Sequence, residues 1–389
     1  MFNSNPVIVD GQPLVELRSR TSTKWRDFPA DVLPLPVAEM DFEIAEPIRE
    51  LLINMLEKSD TGYLGPIPEL STSFVAFAKR RWNWEVDPEQ VFTCTDVGVG
   101  MVEMARTIVQ PGDLIMVNSP VYHNFYNWIN ELKCTLHDAP LKREGEKGLH
   151  YVLDFDAIEA GYKAGVKIHF LCNPHNPVGT VFTRDELSRI ADLAKKYGVA
   201  VFSDEIHAPL VYAGNSFVPF LSVSETAREV GICVTAASKS WNIAGLKCAI
   251  IVTGSEKEKA RATNMPVAVH YRASLFGAFA ASAAFGCEDW LNAALVTLDR
   301  NRKLLKSLLD EHLPQVGYRI PDCSYLAWLD VSALNLGEKP QQTFIDKGRV
   351  AFNDGATFAP SHSQFVRLNF GTSEEILREA VNRMVNTVR

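Results

Sequence analysis

Lys239 stands between Ser238 and Ser240 in the stretch ASKSWNIAGLK, residues 237–247, directly after the apolar run GICVTAA. A second lysine, Lys247, follows eight positions later. A lysine held in such a setting is partly desolvated and less basic than a surface lysine, so its amine can act as a nucleophile or a proton carrier. Asp204 closes another apolar run, VAVFSDE, and Asn173 and Asn176 lie in CNPHNPVGT just after a third. Gly98 and Gly100, with Val99 between them, follow QVFTCTD and precede the helical pattern MVEMARTIVQ, an arrangement that reads as a glycine turn opening a helix. Four strand ends thus offer an amine, a carboxylate, a carboxamide and a glycine turn. In open α/β sheets ligands gather at the carboxyl ends of the strands.

One cofactor, pyridoxal 5'-phosphate, needs all of these parts. Its aldehyde needs a lysine amine, and its ring nitrogen needs a carboxylate that keeps it protonated as an electron sink. Its phenolic oxygen needs hydrogen-bond donors. Its phosphate needs backbone amides at a helix N-terminus together with hydroxyl and cationic groups. Lys239, Asp204 and Asn176, then the Gly98–Val99–Gly100 backbone with Ser238 and Lys247, supply these in turn. Taken singly, each has an ordinary explanation: Lys239 as a surface lysine, Asp204 as a helix cap, the Asn-Pro pairs as turns. Their order and spacing outweigh those readings.

The elements that must position them alternate along the chain. Residues 113–120, 166–174, 199–205, 232–238 and 248–254 read as short buried strands. Between two of them, residues 183–198 read as a helix. Thr183 and Glu186 have capping-box spacing, Leu187, Ile190, Ala191 and Ala194 form an apolar face, and Gly198 stops it. Strand, helix, strand with continuous apolar strands predicts an α/β fold around a mostly parallel sheet covered on both faces. The C-terminal part reads as a smaller α+β unit: a long helix over roughly 288–313, strands at 324–331 and 364–371, a helix near 340–350 and a final helix. We expect an N-terminal arm over residues 1–45 that contributes to the small domain and the active site, a large cofactor-binding domain over 46–287 and a small domain over 288–389. Residues 274–286 read as a buried helix.

The ordered set NPHNPVG, an aspartate 28 positions after Asn176, a Ser-Lys pair 35 positions further on and a cation eight beyond that lysine resembles the class I/II aminotransferase family of fold-type I pyridoxal-phosphate enzymes. The resemblance runs along nearly the whole chain. Within the family it is most similar to the cystathionine β-lyase (C–S lyase) branch, on VAEMDF at 37–42, TGYLGP at 61–66, SPVYHNF at 119–125 and SDEIHAPLVY at 203–212. That branch commonly shows WVADMDF, and Pro36 and Glu39 stand here in place of its Trp and first Asp.

The resemblance implies roles. Lys239 would be the Schiff-base lysine and proton shuttle, Asp204 the partner of the pyridine nitrogen and Asn176 the partner of the ring hydroxyl. Tyr122 would stack on the ring. Arg367, in VRLNFG, would grip the substrate α-carboxylate, with the Ala38 amide and Asn176 beside it. Tyr63 would reach the phosphate and substrate of a neighbouring subunit, which implies a homodimer with shared sites. His207 stands three after Asp204, where transaminase relatives carry a tyrosine; a histidine there is similar to the lyase branch.

The implied reaction is α-proton abstraction followed by β-elimination. L-cystathionine, L-cysteine or a related S-conjugate would yield a thiol, pyruvate and ammonia, compatible with methionine biosynthesis or with sulfur release. Aminotransfer is the alternative, because both reactions use every residue named. A regulatory protein on the same fold is a third reading, disfavoured by the presence of Lys239, Asp204 and Arg367.

The chain has 389 residues, 47% of them hydrophobic, and a net charge of −8 with the acidic residues scattered. This composition is that of an ordinary globular protein and disfavours nucleic acid and anionic membranes as partners. The start, MFNSNPVIVDG, has neither a basic nor an apolar leader region, and no run approaches a membrane span. Seven dispersed cysteines without a CxxC pair read as reduced thiols, and with them a cytoplasmic location. The nine histidines show no zinc spacing, so no metal is expected.

Overall fold

The computed structural model describes residues 7–389; the first six residues of the expected arm and leader region lie outside the described residues. A seven-stranded sheet organises the first two thirds of the chain. Its strands run in the order Val91–Cys94, Ala249–Thr253, Gly231–Thr235, Ala200–Asp204, Ile168–Cys172, Leu114–Val117, Thr135–Asp138. The last five pair in parallel. Ala249–Thr253 is antiparallel to both of its neighbours, which departs from the βαβ pattern of the central strands. Two reversals leave Val91–Cys94 running in the same direction as the parallel set. All six co-directional strands therefore open their carboxyl ends on one edge, and Lys247 and Cys248 enter the reversed strand from that same edge.

The inner strands are buried on both faces, as their unbroken apolar runs predict. The helix Arg184–Tyr197 forms as expected. Thr183 and Glu186 make both halves of a capping box, and Gly198 ends the helix at φ 70°, a left-handed turn that glycine adopts without strain. Its apolar face, Leu187, Ile190, Ala191 and Ala194, is buried. Residues 274–286 include the helix Leu275–Ala284, buried along Gly277, Ala278, Ala280, Ala281 and Ala284.

The C-terminal part carries a second, antiparallel sheet, Gly317–Tyr318, Leu326–Asp330, Phe365–Asn369, Asn353–Asp354. The 25-residue helix Glu288–His312 and the final helix Glu374–Val388 pack together beside it. The N-terminal segment joins this part, because Leu33–Pro34 pairs in parallel with Val350–Ala351. The helix expected near 340–350 is a short α-turn, Pro340–Thr343, that widens into a π-turn over Phe344–Gly348. The seven cysteines are all unpaired and six are buried. No helix among the described residues is long and apolar enough to cross a membrane.

Candidate active site

A cavity of about 580 Å³ opens where the carboxyl edge of the large sheet meets the small sheet and the segment 36–38. Lys239, Asp204, Asn176, Tyr122, His207, Ser238, Gly98, Lys247, Ala38 and Arg367 all line it. Residues spread over 330 positions of sequence thus converge on one space.

Lys239 is half-buried, and its Nζ donates to the Ala38 carbonyl at 3.0 Å. Burial and the positive charge of Arg367 lower its pKa from the ordinary 10.5 to about 8, against the opposing pull of Glu39 and Asp204. This is the less basic amine that its sequence setting predicts.

Asp204 is buried at the end of its strand. Burial raises its pKa from 3.8 to about 7, partly offset by the Ile206 amide, which donates to Oδ1 at 3.1 Å, and by Lys239. That amide is the carboxylate's only hydrogen-bond partner among the described residues, so a second oxygen remains for a cationic group in the cavity. His207 is buried, and its Nδ1 lies 3.1 Å from Ser324 Oγ. Burial, Lys239 and Arg367 push its pKa down to about 3, so it is a neutral imidazole at physiological pH.

Arg367 lies on the strand Phe365–Asn369 of the small sheet and is 3% exposed, which makes any unmet hydrogen bond costly. Nη1 donates to Asn176 Oδ1 at 3.1 Å, and Nη2 donates to the Pro36 carbonyl at 3.0 Å and to Asn353 Oδ1 at 2.6 Å. The guanidinium lies 4.9 Å from the Phe358 ring centre. Nε has no partner. Burial lowers its pKa to about 10, leaving it charged at neutral pH. A buried, charged guanidinium with an unmet donor suits a carboxylate ligand.

The segment 36–42 is fixed from both sheets. Asn242, three residues after Lys239, donates to the carbonyls of Met40 and Phe42 at 2.8 and 3.1 Å and accepts from the Met40 amide. Asn369, two residues after Arg367, donates to the carbonyls of Val37 and Glu39, both at 2.7 Å. Lys24 and Asp41 form a fully buried ion pair at 2.7 Å behind the segment. Ala38 sits at its centre, and its carbonyl accepts from Lys239 and from Tyr325 Oη, each at 3.0 Å.

At the other end of the cavity the glycines behave differently from expectation. Gly98 and Gly100 do not form a turn before the helix; they lie inside the first turns of Val97–Arg106, which Asp96 caps by accepting from the Val99 amide at 2.9 Å. Val99 is thereby engaged within its own helix and lies off the cavity. Gly100 faces the sheet, where a Cβ would meet Val234 Cγ1 at 2.9 Å and Cys94 Sγ at 3.0 Å, so it serves close helix–sheet packing. Only Gly98 of the three lines the cavity, and a Cβ there would meet Trp128 Nε1 at 2.9 Å. Lys247 is exposed and pairs with Asp96 at 3.3 Å. The helix N-terminus, Ser238 and Lys247 still line this end of the cavity, with the Asp96 carboxylate among them.

Tyr122 is half-buried between His123 and Trp128, with ring centres 4.7 and 6.3 Å away. Tyr63 stands apart. It is fully exposed, outside the cavity and on the loop between Glu46–Glu57 and Pro68–Trp82.

Asn353, Tyr325, Asp96, Asn242 and Asn369 were not among the residues singled out by the sequence, although they hold Arg367, Ala38 and Lys247. Three of them carried a signal, their places within quoted motifs: Asn242 in ASKSWNIAGLK, Asn369 in VRLNFG and Asp96 at the end of QVFTCTD. The others become partners only through folding. The donor set fits pyridoxal 5'-phosphate: a poorly basic lysine, a buried carboxylate with an open oxygen, a carboxamide and a helix N-terminus cleared by Gly98 with Lys247 beside it.

The model of the aminotransferase class I and II family matches residues 30–384. A Mycobacterium tuberculosis protein is 40% identical over 400 residues, which span 95% of this chain and 96% of its own. The cystathionine beta-lyase of Corynebacterium glutamicum is 34% identical, covering 96% of this chain and 99% of the relative. The solved structure of cystalysin from Treponema denticola, which contains pyridoxal 5'-phosphate, superposes with a TM-score of 0.90 at 26% identity over 95% of this chain and 96% of that one.

Proposed function

We propose, on the premise that this chain belongs to the class I and II aminotransferase family, that it is a pyridoxal-phosphate-dependent carbon–sulfur β-lyase. It converts L-cystathionine and water into homocysteine, pyruvate and ammonia, and accepts L-cysteine or related S-conjugates. The observation that carries this is the 34% identity to a cystathionine beta-lyase along 96% of the chain. The convergence of a poorly basic lysine, a buried carboxylate and a buried arginine in one cavity supports it.

When bound, the cofactor supplies an electron sink for the pair released at the substrate α-carbon. Lys239, Asp204, Asn176, Tyr122, Ser238, Lys247 and the Gly98 helix end would hold it. Arg367 binds the substrate carboxylate, and with Ala38 and Asn176 it orients the Cα–H bond toward Lys239. With a pKa near 8, Lys239 has an appreciable free-amine fraction at neutral pH, so Nζ can take the α-proton and return it later. Asp204 holds the counter-charge to the ring nitrogen. His207 stays neutral and, bonded to Ser324, fills the wall beside Tyr325.

The reading extends to a homodimer in which Tyr63 completes the partner's site, supported by its full exposure outside its own cavity. It includes a cytoplasmic location, supported by seven unpaired cysteines. The two sheets support a division into the arm 1–45, a large unit 46–287 and a small unit 288–389.

The test is pyruvate release from L-cystathionine by the cofactor-loaded protein with no 2-oxo acid added. Continuous turnover supports the lyase. A single stoichiometric half-reaction that resumes only with a 2-oxo acid would make it an aminotransferase. Lys239→Ala is expected to abolish turnover.

A further inference from the structure

The helix Asn124–Glu131 turns one face to the cavity: Asn124, Asn127, Trp128 and Glu131, at the i, i+3, i+4, i+7 spacing of a helical stripe, all line it. Two of these side chains form a directed hydrogen-bond chain. Asn127 Nδ2 donates to Asn124 Oδ1 at 2.9 Å, and Asn124 Nδ2 donates to Tyr122 Oη at 2.7 Å. The first bond fixes the second. Because the carboxamide oxygen of Asn124 is engaged by Asn127, its NH2 must face the phenol.

A phenol oxygen that accepts from an amide directs its own hydrogen elsewhere. Among the described residues Tyr122 Oη has no acceptor, and the space in front of it is the cavity it lines. Burial raises the pKa of the phenol above its ordinary value, opposed by Arg367 and by Asn124 itself, so it is protonated at neutral pH. A neutral phenol with its oxygen occupied by a donor is a hydrogen-bond donor toward the cavity and not a base.

We propose that Asn124, held by Asn127, is a positioning residue that aims the Tyr122 hydroxyl hydrogen into the active-site cavity. This rests on the lyase reading only for what the hydroxyl then meets; the direction of the bond stands on the orientation of the Asn124 and Asn127 carboxamides. Asn124 touches no reacting atom in this account and acts through Tyr122.

Polarity, not shape, is what the substitutions must change. Asn124→Asp keeps the shape but offers only acceptors, so it draws the Tyr122 hydrogen away from the cavity. Asn124→His keeps a donor. We expect kcat for pyruvate release from L-cystathionine to fall about tenfold or more in N124D, with KM changed less and with N124H retaining most activity. A second readout needs no turnover: the tyrosinate difference spectrum of each protein against its Tyr122→Phe counterpart. In N124D the phenol should titrate at higher pH than in the parent, because it now bonds to a carboxylate. Equal kcat in N124D and the parent, or an unshifted phenol titration, would overturn the proposal. Absence of pyruvate release in the parent would sink the lyase reading alone, since the titration would still report on the bond.

Discussion

Arg367 and Asn176, 191 positions apart, are joined by a 3.1 Å hydrogen bond across the cavity. It links the small sheet to the loop after the strand Ile168–Cys172, so the group read as a carboxylate anchor and the group read as a cofactor ligand share one geometry. Asn353 and Pro36 accept from Nη2 of the same guanidinium. Arg367→Lys cannot make this fork, and we expect KM for L-cystathionine to rise about 10²-fold. Asn353→Ala leaves the charge but loosens its orientation, with an expected rise of about tenfold. Steady-state kinetics check both; a smaller effect for R367K than for N353A would contradict the arrangement.

Asp204 makes a pH prediction for the cofactor-free protein. Its pKa rises from 3.8 to about 7 on folding. Between these values the folded chain holds a proton that the unfolded chain has released. Its contribution therefore lowers stability as pH rises from about 4 to about 7 and is absent below. Asp204→Asn should flatten this slope in denaturant unfolding, and pyridoxal phosphate should flatten it in the parent by pairing the carboxylate. The same substitution should lower kcat about 10²–10³-fold. Parallel slopes for the parent and D204N would argue against the assignment.

Lys239 should label as a weak base. In the cofactor-free protein the rate of its acylation, followed by peptide mass spectrometry, is expected to rise with a midpoint near 8 in place of the ordinary 10.5. Arg367→Met removes a neighbouring positive charge and should move the midpoint up; Glu39→Gln removes a negative one and should move it down. A midpoint that ignores both changes would mean that the amine does not sense this cavity.

Tyr63 predicts a complementation result. Lys239→Ala and Tyr63→Ala should each be nearly inactive alone. Mixed and reassembled, they should regain activity, because a hybrid dimer holds one site with both an intact lysine and an intact neighbouring tyrosine. Absence of recovery, with hybrid formation verified by native mass spectrometry, would exclude a shared site.

The sequence by itself determined the inner strands of the large sheet, the capped helix Arg184–Tyr197 and most of the cavity's inventory, but not the exposed edge strand Thr135–Asp138. Buried parallel strands are written as unbroken apolar runs, and caps are local chemistry between residues three apart. Lys239, Asp204 and Asn176 were legible because each follows such a run, and parallel strands deliver their ends to one edge. Tertiary structure decided what spacing cannot encode. It reversed the strand Ala249–Thr253 and turned Gly100 into the sheet and away from the cavity. It also brought Asn353 to Arg367 and Tyr325 to Ala38. The lowered basicity of Lys239 was foreseeable in direction, but its partners were not. Arg367 and the Ala38 carbonyl come from opposite ends of the chain, and burial and charge–charge interaction depend on distances in space.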